Sequence, residues 1–355
     1  MNELEQARRE IDRIDAEMAA LFCQRMDAVG AVVAYKRANG LPVLDASREE
    51  AVVEKNLARV ENPAYKPYYA DHIRHMMALS RQYQTQVLGK NRVAYQGVEG
   101  AYSHNALQEL FPHAEALACP TWDGVFDAVE AGTAEAGVVP FENSHAGDVS
   151  AVLDLCYNHG LYITAMYDLA IRHNLLALPG AQLSGIRDVY SHQQAISQSE
   201  KFLRTLSLPA HAMPNTAMAA KYVADSGDLS KAAIASAETA ALYGLVPLAQ
   251  GINTDDDNTT RFIVIGRALP TQGNRFSILF TVDNKPGKLA QVIQQIGETG
   301  FNMECIKSRP MPHTPFEYYF YAELVGSPRE EGGQALLAAL AGVCRTVRLL
   351  GVYSR

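Results

Sequence analysis

The chain has 355 residues, with 31 lysines and arginines against 39 aspartates and glutamates, and a formal net charge of -8. That length has room for two or three domains with cores of their own. The charge argues against a general affinity for nucleic acid or acidic membranes, though not against a local basic pocket for a small anion. The amino terminus Met1-Asn2-Glu3-Leu4-Glu5 has neither a basic nor an apolar targeting region, and no run approaches the roughly 18 apolar residues of a membrane span. A cytoplasmic protein without a membrane partner is therefore expected. The five cysteines, Cys23, Cys119, Cys156, Cys305 and Cys344, lie far apart without metal-ligand spacing and read as reduced core thiols.

Residues 1 to 88 read as helical. Asn2 with Glu5 forms a capping-box pattern, and no proline interrupts the chain before Pro42, so one long helix should run to about Asn39-Gly40. At about 1.5 Å per residue it would be roughly 55 Å long, more than a small domain can bury, which points to packing against a second copy. A homodimer or higher homo-oligomer follows. Ser47 with Glu50 opens a second helix that Asn62-Pro63 should end, and a third should run from about Lys66 to Val87. At about 100° per residue Arg25 and Lys36 fall within roughly 20° of each other, on a stripe otherwise made of Val29, Val32 and Val33. Arg8 lies roughly 100° from Arg25, so it suits a partner's pocket better than its own. Ser80 and Gln84 are one turn apart on the third helix, and Asp45, Arg48 and Glu49 cluster where the second begins.

In order and spacing this set resembles the all-helical chorismate mutases. The resemblance implies that Arg8 (from the partner), Arg25 and Arg48 clamp the two carboxylates of chorismate while Glu49 orients its ring hydroxyl. It also implies that Lys36 and Gln84 hydrogen-bond the ether oxygen, with Asp45 and Ser80 supporting the pocket. Such a rearrangement needs no nucleophile or general base. It needs a compact conformer and donors aimed where charge grows.

After Gly89-Lys90-Asn91 the pattern switches to brief apolar strands between helical stretches, and an α/β body is expected over residues 92 to 270. Arg92-Val93-Ala94-Tyr95 reads as its first strand, and the glycines and hydroxyls from Gln96 to His104, Ser103 among them, then meet a helix amino terminus, an arrangement that suits an anion. Cys119-Pro120-Thr121 repeats the device with Thr121 as cap. A third loop, Val138-Val139-Pro140-Phe141-Glu142-Asn143-Ser144-His145-Ala146-Gly147, should follow a strand that Pro140 stops, with Gly147 opening the next helix. The three loops should share one edge of a sheet, where α/β proteins bind ligands. Ile163 to Leu178 reads as two strands or as a crossing between two lobes. Val189 to Gln194 reads as the end of another strand, Asn215-Thr216 as a helix cap and Ala233 to Ser236 as a third such edge, which together point to a second lobe facing the first. Thr260 and Arg261 stand immediately before a strand of alternating bulk. Asp255-Asp256-Asp257 reads as a solvated acidic loop, and neither metal nor cofactor is expected.

Val-Val-Pro-Phe-Glu-Asn-Ser and the triplet Thr260-Arg261-Phe262 resemble the signature loop and catalytic motif of prephenate dehydratases. That resemblance implies two α/β lobes around a cleft, like a periplasmic binding protein, with Thr260 as proton donor to the leaving hydroxyl, directly or through an adjoining group. Loss of carbon dioxide and hydroxide aromatises the ring, so a weak acid in the right place suffices. Ser103, Thr121, Asn143, Ser144 and Arg261 are then the candidates for holding prephenate, and Phe262 for keeping the reacting face apolar.

Residues 274 to 355 read strand, helix, strand, strand, helix, strand, a ferredoxin-like order. This resembles an ACT regulatory domain, with Gly287, Leu289 and Ala290 in the first motif and Ser308, Arg309 and Pro310 in the second. The resemblance implies an effector, phenylalanine, bound between two such modules. The second motif usually begins with glutamate, and here the position is Lys307. Together the three segments resemble the bifunctional chorismate mutase/prephenate dehydratases of phenylalanine biosynthesis. The alternatives are a dehydratase whose helical segment is only a dimerisation arm, and a non-catalytic sensor of small anions.

Overall fold

A computed structural model describes residues 2–39, 46–87, 92–255, 257–311 and 314–354. The chain divides into two compact units, Met1–Asn91 and Arg92–Arg355. In the first, helix α1 (Glu3–Asn39) begins where Asn2 Oδ1 accepts from the Glu5 N–H at 2.8 Å, half of the expected capping box. Helices α2 (Ala46–Leu57) and α3 (Lys66–Val87) follow. On α3 the buried residues Ala70, Ile73, Met77, Ser80 and Gln84 recur every three or four positions, one face of a helix, and the buried residue of α1 is Val33.

Two expectations need correction here. The second helix stops at Leu57, not at Asn62-Pro63, because the Asn56 side chain bonds back to Val52 O and Arg59 N–H turns to Asn56 O. Asn62 instead caps the 3-10 turn Pro63–Tyr65, its Oδ1 accepting from Ala64 N–H at 3.0 Å. Val32 is not on the packed face but 47% exposed, since that face centres on Val33, one residue round the helix. Asp45 lies outside the described residues.

The second unit opens with strand β1 (Arg92–Gln96), α4 (Tyr102–Leu110), β2 (Glu115–Cys119), α5 (Trp122–Glu130), β3 (Ala136–Asn143), β4 (Gly147–Asp148), α6 (Ser150–Asn158) and β5 (Tyr162–Ala170). The chain then crosses to a second sheet through β6 (Asn174–Ala177). It continues with β7 (Asp188–His192), α7 (Gln193–Gln198), α8 (Glu200–Thr205), β8 (Ala210–Met213), α9 (Thr216–Ser226), β9 (Lys231–Ala235), α10 (Ala237–Tyr243) and β10 (Val246–Ala249). It returns to the first sheet in β11 (Thr259–Gly266). Ile163 to Leu178 is thus both of the things it could be: two strands and, between them, a crossing. The result is two α/β lobes, one on the sheet with β5-β11-β3-β1-β2 and one on β10-β6-β9-β7-β8.

β1 runs parallel to both β2 and β3, so the three loops that follow these strands do share one edge. Thr121, Asn215 and Ser236 cap α5, α9 and α10 through their side chains. Pro140, however, does not end its strand. β3 continues to Asn143 with a bulge at Phe141, because Pro140 pairs with Phe262 while Glu142 pairs with Arg261, an irregularity that accommodates the missing N–H. Gly147, at φ +78°, belongs to a hairpin with β3, and the helix waits until Ser150. Thr260 and Arg261 likewise lie inside β11, not before it.

The remaining elements are β12 (Arg275–Thr281), α11 (Lys288–Glu298), β13 (Asn302–Pro310), β14 (Tyr318–Val325), α12 (Glu331–Val343) and β15 (Thr346–Tyr353), ordered β13-β14-β12-β15 in the sheet. That connectivity is the split βαβ of ferredoxin-like units. Its sheet is not free-standing. β15 meets β5 in parallel at Gly351 and Ile163, and one core contains Phe141, Leu153 and Ile163 together with Leu279, Tyr319, Tyr321 and Tyr353. β12 is therefore buried on both faces. Of the cysteines, Cys119 and Cys156 are buried and Cys305 and Cys344 partly so, but Cys23 is exposed on α1 and is no core thiol. Among the described residues no helix is long and apolar enough to cross a membrane.

Candidate functional sites

In the helical unit the buried face of α3 carries polar groups where a core would carry methyls. Ser80 is 4% and Gln84 8% exposed. Arg25 of α1, half-buried, donates from Nη1 to Ser80 Oγ, and Ser80 in turn donates to Met76 O at 2.8 Å. Gln84 Oε1 is buried and has no hydrogen-bond partner among the described residues. An amide left so costs stability unless a ligand completes it, and turning it over presents Nε2 as donor instead. Lys36 lies on the same face of α1 as Arg25 and is partly buried. Glu49 of α2 is held by Arg81 Nη1, a residue the sequence reading passed over although it adjoins Ser80 and lies three positions from Gln84. Arg8 and Arg48 are exposed. Arg25, Ser80 and Gln84 are thus brought to one helix–helix face, and Arg8, 17 positions up α1, is not.

In the second unit the signature hairpin presents Asn143, 6% exposed, to β11. Its Oδ1 accepts from the backbone N–H groups of His145 at 3.1 Å and Ala146 at 2.9 Å, so the orientation of the amide is fixed by groups that can only donate. Nδ2 then faces Asn258 Oδ1 at 2.8 Å, Thr260 Oγ1 at 3.0 Å and Thr259 O at 3.1 Å. With its oxygen accepting from Asn143, Thr260 keeps its own proton for another acceptor. Ser144 locks the same strand, its N–H donating to Thr259 O at 2.9 Å and its Oγ accepting from Thr259 N–H at 3.0 Å.

The orientation propagates into the second lobe. Asn258, 3% exposed, donates from Nδ2 to Gln198 Oε1 at 3.0 Å, and that oxygen lies 2.9 Å from His173 Nε2. An amide oxygen cannot donate, so Nε2 carries the ring proton and Nδ1 accepts from the Tyr102 hydroxyl at 2.9 Å. His173 is 2% exposed, and burial pushes its pKa down against the raising effect of Gln198, in keeping with a neutral ring. None of Asn258, Gln198 and His173 was assigned a role from sequence. They lie 25 to 115 positions from their partners. The signal that was present is Asn258 itself, two residues before Thr260.

Thr260 and Arg261 are sent to opposite faces of the sheet, as neighbours on a strand must be. Arg261 donates to both oxygens of Asp168 at 2.9 and 3.2 Å and lies 3.8 Å from Glu142. Burial acts to lower its pKa, but the hydrogen bonds and charge of Asp168 prevail and raise it. Phe262, 1% exposed, shares the Thr260 face and is packed in the core with Tyr95, Leu107 and Val138. Ser103 is buried in the first turn of α4, and Thr121 accepts from Gly124 N–H at 3.1 Å. A cavity of about 1220 Å³ spans α4 and α10; Gly100, Tyr102 and His104 of the first loop and Ser236 of the second lobe line it, but none of the residues assigned to prephenate does. A smaller one of about 500 Å³ does reach this network, lined by Gln198, Asn258 and His145 and by two cations, Lys201 and Arg204.

In the C-terminal segment the odd residues of β13 face inward and the even ones outward. Ser308 and Pro310 are exposed, whereas Arg309 turns in and holds Asp154 with bonds of 3.0 and 2.6 Å. Gly287 and Ala290 are exposed and Leu289 is half-buried, at the start of α11.

Residues 93–269 match the family model described as prephenate dehydratase, and residues 7–85 that described as chorismate mutase type II. A bifunctional chorismate mutase/prephenate dehydratase from Neisseria gonorrhoeae is 32% identical over 98% of this chain and 95% of its own. A solved structure of prephenate dehydratase from Arthrobacter aurescens in complex with L-Phe is 28% identical, covering 74% of this chain and 90% of that one with a TM-score of 0.70. A solved quorum quenching acylase, GqqA, is 31% identical over 74% of this chain and 97% of its own, with a TM-score of 0.69, so this fold also carries another chemistry. By the match over nearly its whole length and the two family models in the same order, the chain belongs to the bifunctional chorismate mutase/prephenate dehydratases.

Proposed function

We propose residue roles for the two reactions of this family, chorismate to prephenate and prephenate to phenylpyruvate, both of which the protein catalyses. In the mutase, Arg25, Arg48 and the Arg8 of a second copy hold the carboxylates and Glu49 the ring hydroxyl. Lys36 and Gln84 donate to the ether oxygen as negative charge develops there, with Ser80 fixing Arg25 and Asp45 supporting the pocket. Gln84 Oε1 supports this reading, because it is a buried polar atom without a partner among the described residues. No electron pair has to be supplied by the protein. Pre-placed donors and a compact conformer lower the barrier.

For the dehydratase, the observation that carries the reading is the bond from Asn143 Nδ2 to Thr260 Oγ1. It turns the threonine hydroxyl into an outward donor. Thr260 protonates the departing ring hydroxyl, which leaves as water, and takes a proton back from solvent. The electron pair of the breaking carbon–carboxylate bond enters the ring, and carbon dioxide departs. Ser103, Thr121, Ser144 and the amides of the hairpin turn hold the substrate's carboxylates and Phe262 keeps the reacting side dry, whereas Arg261, on the opposite face of β11 from Thr260, stays with Asp168. The chemistry calls for no cofactor and no metal.

The C-terminal unit serves as an ACT domain. Phenylalanine binds between two copies at Gly287, Leu289, Ala290, Ser308 and Pro310, with Arg309 joining them if it releases Asp154, and slows the dehydratase. Residues 1–88, 92–270 and 274–355 are the three functional domains of a cytoplasmic homodimer. The exposed residues Leu4, Ile11, Ile14, Met18, Leu21 and Val32 support the dimer. With Ala7, Arg25 and Ala28 they form an alternating three-and-four repeat along α1, the seam of a coiled coil.

The test is incubation of the purified protein with chorismate alone, with and without phenylalanine. Phenylpyruvate formed and suppressed by phenylalanine is the expected result. Accumulation of prephenate would overturn the dehydratase assignment, and unchanged chorismate beside prephenate turnover would reduce the helical unit to a dimerisation arm.

A further inference from the structure

Across the signature hairpin, Glu142 of β3 stands directly opposite Asp148 of β4. Two carboxylates so placed repel each other and would spread the hairpin that carries Asn143. Arg261 of the same lobe lies 3.8 Å from Glu142 but is bonded to Asp168, and the cation that reaches both carboxylates comes from outside the lobe. Lys307 of β13 donates to Asp148 Oδ1, lies 3.1 Å from Glu142 Oε2 and sits 4.8 Å from the centroid of the Phe141 ring. Its side chain is only 7% exposed. This is the position where the resemblance to the regulatory family leads one to expect glutamate, and a glutamate here would add a third carboxylate to the two already facing each other.

We infer that Lys307 is a positioning residue for the dehydratase: it clamps Glu142 to Asp148, which closes the hairpin and holds Asn143 in bonding register with Thr260. The chain of contact is short and continuous. Asn143 is the residue after Glu142, its oxygen is seated on the turn between β3 and β4, and its amide reaches Thr260. If the hairpin spreads, the turn no longer seats the Asn143 oxygen, and the 3.0 Å bond to Thr260 rests on the β3–β11 pairing alone. Lys307 touches no reacting atom. It makes the rate of the catalytic strands depend on a strand of the C-terminal unit, and so provides a material link between that unit and the reaction. The inference rests on the reading of Thr260 as the dehydratase acid.

The experiment compares Lys307→Met, Lys307→Arg, Lys307→Asp and the exchange Lys307→Asp with Asp148→Lys in the full-length protein. Methionine keeps the buried stem without its charge. We expect Lys307→Met to lower the dehydratase kcat on prephenate roughly ten- to hundredfold with little change in KM, since a small displacement at a reacting group costs that much. Mutase turnover in the same preparation should be unchanged, and arginine should restore most of the loss. A Lys307→Met protein of unaltered kcat, or one with a lower Tm and unaltered kcat, would overturn the inference in favour of a purely structural tie. Should Lys307→Met fail to fold, the exchange decides: it must recover kcat relative to Lys307→Asp alone, and no recovery refutes the clamp. Thr260→Val separates the two readings, because full activity in that variant would sink the assignment of the acid whatever Lys307 does.

Discussion

Asn143 donates to Thr260 Oγ1 at 3.0 Å while two backbone N–H groups hold its own oxygen in place. The amide therefore cannot turn over to suit a different partner, and the threonine is left with one role, donation. Asn143→Asp conserves shape and removes that constraint, because a second carboxylate oxygen would face Asn258 Oδ1 and compete for the Thr260 proton. We expect the dehydratase kcat to fall about 10²- to 10³-fold, the scale of losing one preorganised donor, with mutase activity intact. Steady-state assays on prephenate and on chorismate read both. Retention of dehydratase activity within a factor of two would remove Asn143 from the site.

Gly351 of β15 stands against Ile163 of β5, and a Cβ built there would lie 2.4 Å from Ile163 O. Backbone at that distance cannot yield as a side chain would. Gly351→Ala should therefore push the C-terminal sheet away from the lobe and lower stability by about 1–3 kcal/mol, the usual cost of overpacking. Thermal unfolding followed by circular dichroism would show a lower Tm, or two transitions if the join is broken. An unchanged Tm would mean that the strands are held together elsewhere.

Much of the architecture was legible because its causes are local. Capping residues such as Thr121, Asn215 and Ser236 stand beside the helices they start, and the order of strands and helices after Gly273 follows from patterning a few residues wide. The errors share a cause as well. Pro140 and Gly147 are breakers by intrinsic preference, but the partner strand β11 accepts Pro140 at a bulge and the hairpin uses Gly147 at positive φ. Pairing in three dimensions outweighed propensity. The network through Asn258, Gln198 and His173, and the reach of Lys307 to a hairpin 159 positions away, join residues that no periodicity connects.

His173 gives the network a pH signature. Its ordinary pKa is about 6.5, and burial lowers it in the fold. Between the lowered value and about 6.5 the unfolded chain binds more protons than the folded one, so stability rises with pH there. The contribution is complete above about pH 6.5 and is lost as pH falls through the folded value. His173→Gln lacks this dependence. The Tm of wild type and variant should differ most near neutral pH and converge as pH is lowered towards 5. Parallel curves across that range would show that His173 is not held neutral by the fold.

The repeat of Leu4, Ile11, Ile14, Met18, Leu21 and Val32 leaves six large apolar side chains in water unless a second copy covers them. A two-stranded seam would also bring the Arg8 of a second copy to a pocket that Arg8 on its own helix does not reach. Ile14→Glu places a charge in the middle of that seam and should convert a dimer to monomers in sedimentation analysis, with mutase activity lost and dehydratase activity largely kept. Complementation tests the shared site directly. Arg8→Ala and Lys36→Ala should each be inactive as mutases, yet subunits mixed after mild denaturation should recover about one quarter of wild-type activity, since half the dimers are mixed and half their sites intact. No recovery from a mixture shown to exchange subunits would place Arg8 outside the neighbouring pocket and leave the seam as a structural device alone.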